Sequence, residues 1–151
     1  MVTVPTDRAL IRHRLMMRFT LRQKAGLARE VFGSYLRQRR RMRHDEKLPA
    51  VLADLRRPLT DDGVERTELE DQLTGIRLGR AVSRTLAPVP DARCLLRSLV
   101  LVDLLARRGI AASFVLGVRS GPDFEAHAWV EKGGVPLLPP YDGEYERLVD
   151  L

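Results

Sequence analysis

Two side chains of this sequence have the chemistry of a nucleophile and a base. Cys94 is the only cysteine, and it stands where an apolar segment with helical spacing begins. The helix dipole and a neighbouring imidazolium lower the pKa of a thiol in a first helical turn. The unpaired backbone N–H groups of that turn could also stabilise an oxyanion. His127 lies between the small residues Ala126 and Ala128, so a substrate could approach the ring, and His127 could act as the general base.

Each of the two residues also has a purely structural interpretation. A lone cysteine at a helix start is often a small buried apolar side chain, and a lone histidine in a strand is often a hydrogen-bonded structural residue. The order of the elements favours chemistry: a cysteine at a helix start, a strand, a strand with a histidine and a third strand. An antiparallel sheet packed on that helix can bring the imidazole to the thiol. The pair therefore predicts acyl transfer through a cysteine thiolate.

The elements that would position this pair follow from the hydrophobic pattern and the turn residues. The predicted helices span residues 6–43, 50–57, 64–86 and 94–109, and the predicted strands span residues 111–118, 124–131, 135–138 and 147–149. Asp62 and Asp91 are expected to cap the third and fourth helices, and Thr6 or Asp7 the first. The helix over 94–109 is apolar on nearly every side, so it should be central and buried.

These elements predict an α+β fold. An N-terminal helical layer is followed by a central helix that carries the nucleophile, and this helix packs on a small antiparallel sheet that carries the histidine. Residues 1–60 form a basic helical N-terminal segment, and residues 61–151 form the catalytic core.

Composition excludes several classes of protein. The chain has 151 residues, 44% hydrophobic and 30% charged, which is ordinary for one globular domain. It contains no apolar run of about 20 residues, so no membrane span is predicted, and with no signal segment we expect a cytoplasmic protein. The histidines His13, His44 and His127 and the single cysteine have no zinc-ligand spacing, so neither a metal nor another cofactor is expected.

Positive charge is concentrated in the N-terminal segment. Residues 1–45 carry a net charge of +9 and the rest of the chain −3, which together give +6. This segment could be a solvated helix face, a surface for an acidic protein or peptide, or a site for nucleic acid. Nucleic acid is the least favoured partner, because Phe19, Phe32 and Tyr35 have core-like spacing and do not alternate with the charges as a stacking platform would.

Several short motifs agree in order and spacing with a known family. They are Cys94-Leu95-x-Arg97-Ser98-Leu99, Leu104-Leu105-x-Arg107-Arg108-Gly109-Ile110, Leu116-Gly117-Val118 and Ala126-His127-Ala128-Trp129-Val130-Glu131. With these motifs, the chain from about residue 65 to 151 resembles the transglutaminase-like leader peptidases of lasso-peptide biosynthesis, which have a papain-like core. The resemblance implies a cytoplasmic cysteine protease that cuts the leader from a ribosomally made precursor. It also implies a separate RiPP recognition element protein that delivers the precursor, a lasso cyclase that closes the ring, and a small polar pocket.

The resemblance also implies the roles of the site residues. Cys94 would be the nucleophile and His127 the general base, with an acid on the next strand orienting the imidazole. The position expected for that acid falls at Leu138 or Pro139, and neither side chain can accept a hydrogen bond. Asp142 is therefore the first choice for the third catalytic residue, although Asp142-Gly143 is also an ordinary turn sequence.

Glu131 is the second choice for the third residue, because it shares a strand face with His127 by period-two alternation. Trp129 lies on the same face and could form a wall of the site or fill the core, and the core interpretation is favoured. Two other functions stay open. The fold could be a catalytically idle module that binds a peptide without cutting it, or a nucleic-acid-associated protein that uses its basic N-terminus. The motif also does not distinguish water from an amine as the acceptor of the acyl group.

Overall fold

The computed structural model describes residues 20–57, 65–138 and 145–151. Within them the chain forms four helices and one four-stranded antiparallel sheet, and this arrangement confirms the α+β fold. The elements are α1 (Leu21–Arg43), α2 (Leu48–Arg56), α3 (Glu68–Leu86), α4 (Cys94–Ala106), β1 (Ser113–Arg119), β2 (Glu125–Lys132), β3 (Val135–Pro136) and β4 (Glu146–Asp150). The strand order is β3-β2-β1-β4. None of the helices within these residues is both long and apolar enough to cross a membrane.

The N-termini of α1 and α3 are closed by capping boxes. Thr20 accepts a hydrogen bond from the backbone of Gln23, whose side chain accepts one from the Thr20 backbone. Thr67 and Glu70 form the same reciprocal pair at α3. The prediction that Asp62 caps this helix is wrong, because the Thr-x-x-Glu pattern starts the helix further along the chain. The predicted cap at residues 6–7 lies outside the described residues.

The short helix α2 starts at a Leu-Pro pair. Leu48 is its first residue, and Pro49 follows in the first turn. Proline is tolerated there because the first N–H groups of a helix have no intrahelical partner. The predicted helix over 50–57 is therefore confirmed with a start two residues earlier.

Helix α4 is the centre of the fold, as its sequence predicts. Every residue from Ser98 to Ala106 is buried. Its neighbours are α1, α2, α3 and β2. Side chains of all five elements belong to one hydrophobic core, including Val31 of α1 and Leu52 of α2. The division of the chain at residue 60 stays a prediction, and the helices before it share this core with the elements after it.

The sheet is built on the long hairpin of β1 and β2. Their register places Gly117 opposite His127. A two-residue turn at Gly133-Gly134 joins β2 to β3, and both glycines have positive φ angles, which such turns require. Strand β4 pairs with the other edge of β1, so the predicted strand at 147–149 is confirmed.

The predicted strand over 135–138 is shorter in the structure, because its second half packs on a helix. Residues Leu137 and Leu138 are buried and follow β3. They lie against Gly75 and Gly79 of α3, where a Cβ added to Gly79 would stand 1.7 Å from the Leu137 carbonyl oxygen. The two glycines therefore allow a backbone approach that no side chain could permit.

Candidate active site

Cys94 is the first residue of α4, and the helix begins there without a side-chain cap. Its N-cap residue is Arg93, in an extended conformation. The prediction that Asp91 caps the helix is wrong. The Arg93 N–H donates to the Asp91 carbonyl in a turn, and the Asp91 carboxylate accepts a hydrogen bond from Arg39 at 2.5 Å. Within the described residues the N-cap side chain makes no hydrogen bond to this first turn. Apart from the Leu95 N–H, which bonds the Cys94 thiol, its N–H groups can bind an anion.

His127 of β2 brings its imidazole to this helix start. The hydrogen bond between the His127 side chain and the thiol lowers the pKa of Cys94 below its ordinary value of 9.0, and this effect outweighs burial, which raises it. Hydrogen bonds to the backbone of Ala128 and Leu95 act in the same direction as His127. Cys94 itself is half-buried. The site thus favours a thiolate beside an imidazole.

A buried hydroxyl connects the two elements that carry this pair. Ser98, one turn after Cys94, donates a hydrogen bond of 3.0 Å to the Ala128 carbonyl, next to His127 in the chain. Ser98 has no solvent exposure, so the bond is protected from water. It holds the second turn of α4 against β2 at the level of the site.

Two aromatic rings pack against the imidazole of His127. The Trp129 ring centroid lies 5.8 Å away with an interplanar angle of 17°, and the Tyr145 centroid lies 4.9 Å away at 27°. Gly117 makes room for this arrangement, since a Cβ there would meet the indole at 2.8 Å. The interpretation of Trp129 as core is wrong, because its ring is half-buried on the sheet face that carries His127.

Tyr145 is held in turn by charged neighbours. The Arg119 guanidinium lies over its ring at 5.4 Å from the centroid, and Arg119 forms an ion pair with Glu125. Burial and a hydrogen bond to Glu125 raise the pKa of Tyr145 above its ordinary value of 10.0, so the ring packs on the imidazole as neutral phenol. Nothing in the sequence signalled this residue, because it meets His127 only through the pairing of β4 with β1.

The carboxylate of Glu131 is engaged away from His127. It is buried and accepts hydrogen bonds from the Trp129 indole at 2.7 Å and from Arg147 at 3.0 Å. Residues four apart in a strand are about 13 Å apart, so the shared face does not bring Glu131 to the imidazole. Asp142, the first choice, lies outside the described residues. Within the described ranges no carboxylate accepts a hydrogen bond from His127.

A cavity of about 370 Å³ opens beside the thiol. It is bounded by the end of α3, the following loop, the start of α4, β2 and the segment after β3. Its walls are formed by Ala87, Val89, Pro90, Ala92, Arg93, Cys94, Arg97, His127, Ala128 and Leu138. The described part of the chain contains no cluster of three or more His, Cys, Asp or Glu side chains that could hold a metal ion.

Comparison with known proteins extends this description. A family model of the transglutaminase-like superfamily matches residues 35–150, a range that contains both Cys94 and His127 and begins within α1. No curated protein and no solved structure matches the chain significantly. Because the family model spans most of the chain, and because the observed helix and antiparallel sheet are consistent with its fold, the chain belongs to the transglutaminase-like superfamily.

Proposed function

We propose that this protein is a cysteine peptidase that removes the leader from a ribosomally made lasso-peptide precursor. The observation that carries the proposal is the contact between the Cys94 thiol and the His127 imidazole, which lowers the pKa of the thiol. The superfamily includes cysteine proteases and transglutaminases, and the short motifs around both residues resemble the lasso leader peptidases.

The chemistry is acyl transfer to water. The Cys94 thiolate attacks the carbonyl at the leader–core junction, and the uncapped N–H groups at the start of α4 stabilise the oxyanion. His127 gives its proton to the departing amine, which leaves an acyl-enzyme. His127 then removes a proton from water, and the resulting hydroxide attacks the thioester and releases the leader acid.

The third residue of the site is proposed to be Asp142, which would accept a hydrogen bond from the imidazole. Glu131 does not fit this role, because Trp129 and Arg147 occupy its carboxylate. Replacing Asp142 with Asn should slow cleavage while leaving the fold intact. Glu131→Gln is the matched control, since it also removes a carboxylate charge and should leave the pH dependence of cleavage unchanged.

The proposal includes partners that deliver the substrate. A separate RiPP recognition element would bring the precursor, and a lasso cyclase would take the product; neither nucleic acid nor a membrane is required. The exposed face of α1 is the proposed docking surface, because the exposed apolar side chains of Phe32 and Leu36 lie beside the exposed cations Arg29, Arg40 and Arg43. This composition suits an acidic partner with an apolar contact.

Deleting residues 1–45 is not a clean test of that docking surface, because it would remove the buried side chains Val31 and Tyr35 from the core. The double substitution Arg40→Glu and Arg43→Glu is cleaner. We expect it to raise the KM of the delivered precursor and to leave the cleavage of a short junction peptide unchanged. Equal KM values for wild type and variant would contradict the proposed docking role of α1.

The alternative of a catalytically idle peptide-binding module is favoured by one observation. Within the described residues, His127 has aromatic neighbours and no carboxylate partner. Such a module would bind the precursor and release it unchanged.

Nucleic-acid binding is less favoured, because Arg37, Arg39 and Arg41 form ion pairs with acidic residues of the same chain. It would predict salt-sensitive binding to generic DNA or RNA.

Mass spectrometry of a precursor incubated with the recognition protein and this protein tests the proposal. Cleavage by wild type and none by Cys94→Ala would support the peptidase and locate the junction. Adding a primary amine distinguishes a peptidase, which transfers the acyl group to water, from a transglutaminase, which transfers it to the amine. The transglutaminase would give an amide adduct of higher mass than the acid. An intact precursor with folded wild-type protein would favour the idle module.

A further inference from the structure

The cavity beside Cys94 has a charge pattern that the proposed reaction does not use. Among the described residues most of its walls are apolar, and the permanently charged lining residues are Arg93 and Arg97. No aspartate or glutamate of the described residues lines the cavity. The nearby Asp91 is already paired with Arg39, so its charge is compensated outside the cavity.

The Arg97 guanidinium is held in this wall with few of its hydrogen-bonding groups satisfied. It offers five N–H donors, and its one hydrogen bond within the described residues is a long one of 3.4 Å to the Leu86 carbonyl. Its Nε atom is buried and has no hydrogen-bond partner among the described residues. A half-buried guanidinium normally has a carboxylate partner, because desolvating an unpaired charge is costly. Within the described residues Arg97 has no carboxylate partner.

The position of Arg97 in α4 places its guanidinium near the Cys94 thiol. Arg97 follows Cys94 by three residues on α4, and side chains at that spacing lie on the same face of a helix. Arg93 is the N-cap residue directly before the nucleophile. A ligand in the cavity would therefore have the thiolate at one end and two cations along the wall.

We propose that Arg97, assisted by Arg93, makes this cavity a subsite for a carboxylate side chain of the peptide next to the cleaved bond. The inference rests on the proposed peptidase function for the identity of its ligand. A guanidinium binds a carboxylate through two parallel N–H groups, and the terminal nitrogens of Arg97 offer such groups. The apolar walls would contact the aliphatic part of an Asp or Glu side chain.

The subsite can be tested without knowing the peptide, by comparing two alkylating reagents of similar size. Iodoacetate is an anion and iodoacetamide is neutral, and each forms a carbon–sulfur bond with the Cys94 thiolate and releases iodide. The ratio of the two rate constants cancels any change in the reactivity of the thiol itself. The protein unfolded in urea supplies the reference ratio, because its only cysteine is then away from the cavity.

We expect the iodoacetate-to-iodoacetamide ratio of the folded protein to be about tenfold above the unfolded reference. Arg97→Gln should remove most of that increase, and Arg93→Gln should remove less, because Arg93 is exposed. Arg97→Lys keeps the charge and should restore part of the ratio. The matched control is Arg80→Gln, since Arg80 is an exposed residue of α3 that does not line the cavity. Salt should lower the wild-type ratio.

Equal ratios for the wild type and Arg97→Gln, with both proteins shown to be folded by thermal unfolding, would overturn the subsite. The same conclusion would follow if neither reagent alkylated Cys94. A matched pair of junction peptides, one with Glu and one with Gln beside the cleaved bond, separates the two proposals. Cleavage of the Glu and Gln peptides at equal rates would contradict the subsite alone. An iodoacetate-to-iodoacetamide ratio that depends on Arg97, without cleavage of either peptide, would support the subsite and contradict the peptidase.

Discussion

The thiol of Cys94 contacts three groups that favour its charged form. They are the imidazole of His127, the backbone of Ala128 and the backbone of Leu95 in its own helix. Two of these groups belong to adjacent residues of β2 and the third belongs to α4 itself, so the protonation state of the site depends on how α4 packs on β2. The imidazole is in turn packed by Trp129 and Tyr145, which restrict its rotation whatever acid completes the site.

The contacts of Cys94 predict how its alkylation rate depends on pH. Because the pKa of Cys94 is lowered, the thiolate persists as the pH falls below the ordinary thiol range. The iodoacetamide rate should therefore have its inflection below pH 9.0, the ordinary value of the group. In His127→Ala the inflection should move to higher pH, because burial raises the pKa of the thiol and the hydrogen bond to His127 no longer opposes it.

The measurement is the alkylation rate of Cys94 from about pH 5 to pH 10, a window that spans the ordinary and lowered thiol ranges. His44→Ala is the matched control, because His44 is an exposed histidine at the end of α1 and its removal should leave the profile unchanged. Identical inflections in wild type and His127→Ala would show that the imidazole does not set the thiol pKa.

At the scale of elements, the contact between α3 and the segment after β3 shapes the wall of the cavity. Leu138 lines the cavity, and Leu137 before it occupies the space that Gly75 and Gly79 leave open. Ser98 makes a second connection at the site, between α4 and β2. The site thus depends on close approaches of elements that are distant in sequence.

Gly79→Ala is predicted to be strongly destabilising. Its Cβ would stand 1.7 Å from the Leu137 carbonyl oxygen, so the segment after β3 must move away from α3. We expect a loss of about 3 kcal/mol or more in the free energy of unfolding, measured by urea denaturation. The same displacement should alter the alkylation rate of Cys94.

Gly26→Ala is the matched control for this prediction. Gly26 is an exposed residue of α1 with nothing within 4 Å of the added Cβ. Alanine has the higher helix propensity, so this variant should gain about 0.5–1 kcal/mol. A Gly79→Ala protein as stable as the wild type would contradict the close approach of Leu137 to α3.

At the scale of the whole molecule, a buried carboxylate connects the first helix to the central one. Asp103 of α4 accepts hydrogen bonds from Ser34 at 2.6 Å, Arg37 at 3.1 Å and Arg107 at 2.8 Å. Burial raises its pKa, but these three hydrogen bonds outweigh burial, and the pKa lies below the ordinary 3.8. Part of the basic segment therefore serves to hold α1 on the core.

Asp103→Asn should lower the free energy of unfolding by about 2 kcal/mol at neutral pH. A carboxyl whose pKa is lower in the folded state stabilises the protein above its unfolded pKa, and this contribution is lost as the pH falls through the folded pKa. The difference between wild type and variant should therefore shrink below about pH 4, which urea denaturation at several pH values would measure.

Asp91→Asn serves as the control, since its ion pair with Arg39 is exposed. Exposed pairs contribute little, so we expect a loss below about 1 kcal/mol. A constant difference between wild type and Asp103→Asn from pH 7 to pH 3 would contradict the role given to the buried charge.

Local patterns in the sequence determined most of the helices and strands, and with them the order in which the nucleophile and the base follow along the chain. The apolar run after Cys94 specified a buried helix, and period-two alternation specified the strand of His127, because both signals depend on residues close together in the chain. The motif order was also enough to predict the superfamily. The resemblance to lasso leader peptidases stays a prediction.

Only the tertiary structure decided what surrounds the pair. The order and register of the strands brought Arg147 of β4 to Glu131 of β2, and the pairing of β4 with β1 brought Tyr145 to the imidazole. The turn at Asp91 leaves the start of α4 at Cys94 without a side-chain cap. These outcomes depend on the packing of segments far apart in sequence, and the period of a single helix or strand carries no information about which distant segment it will meet.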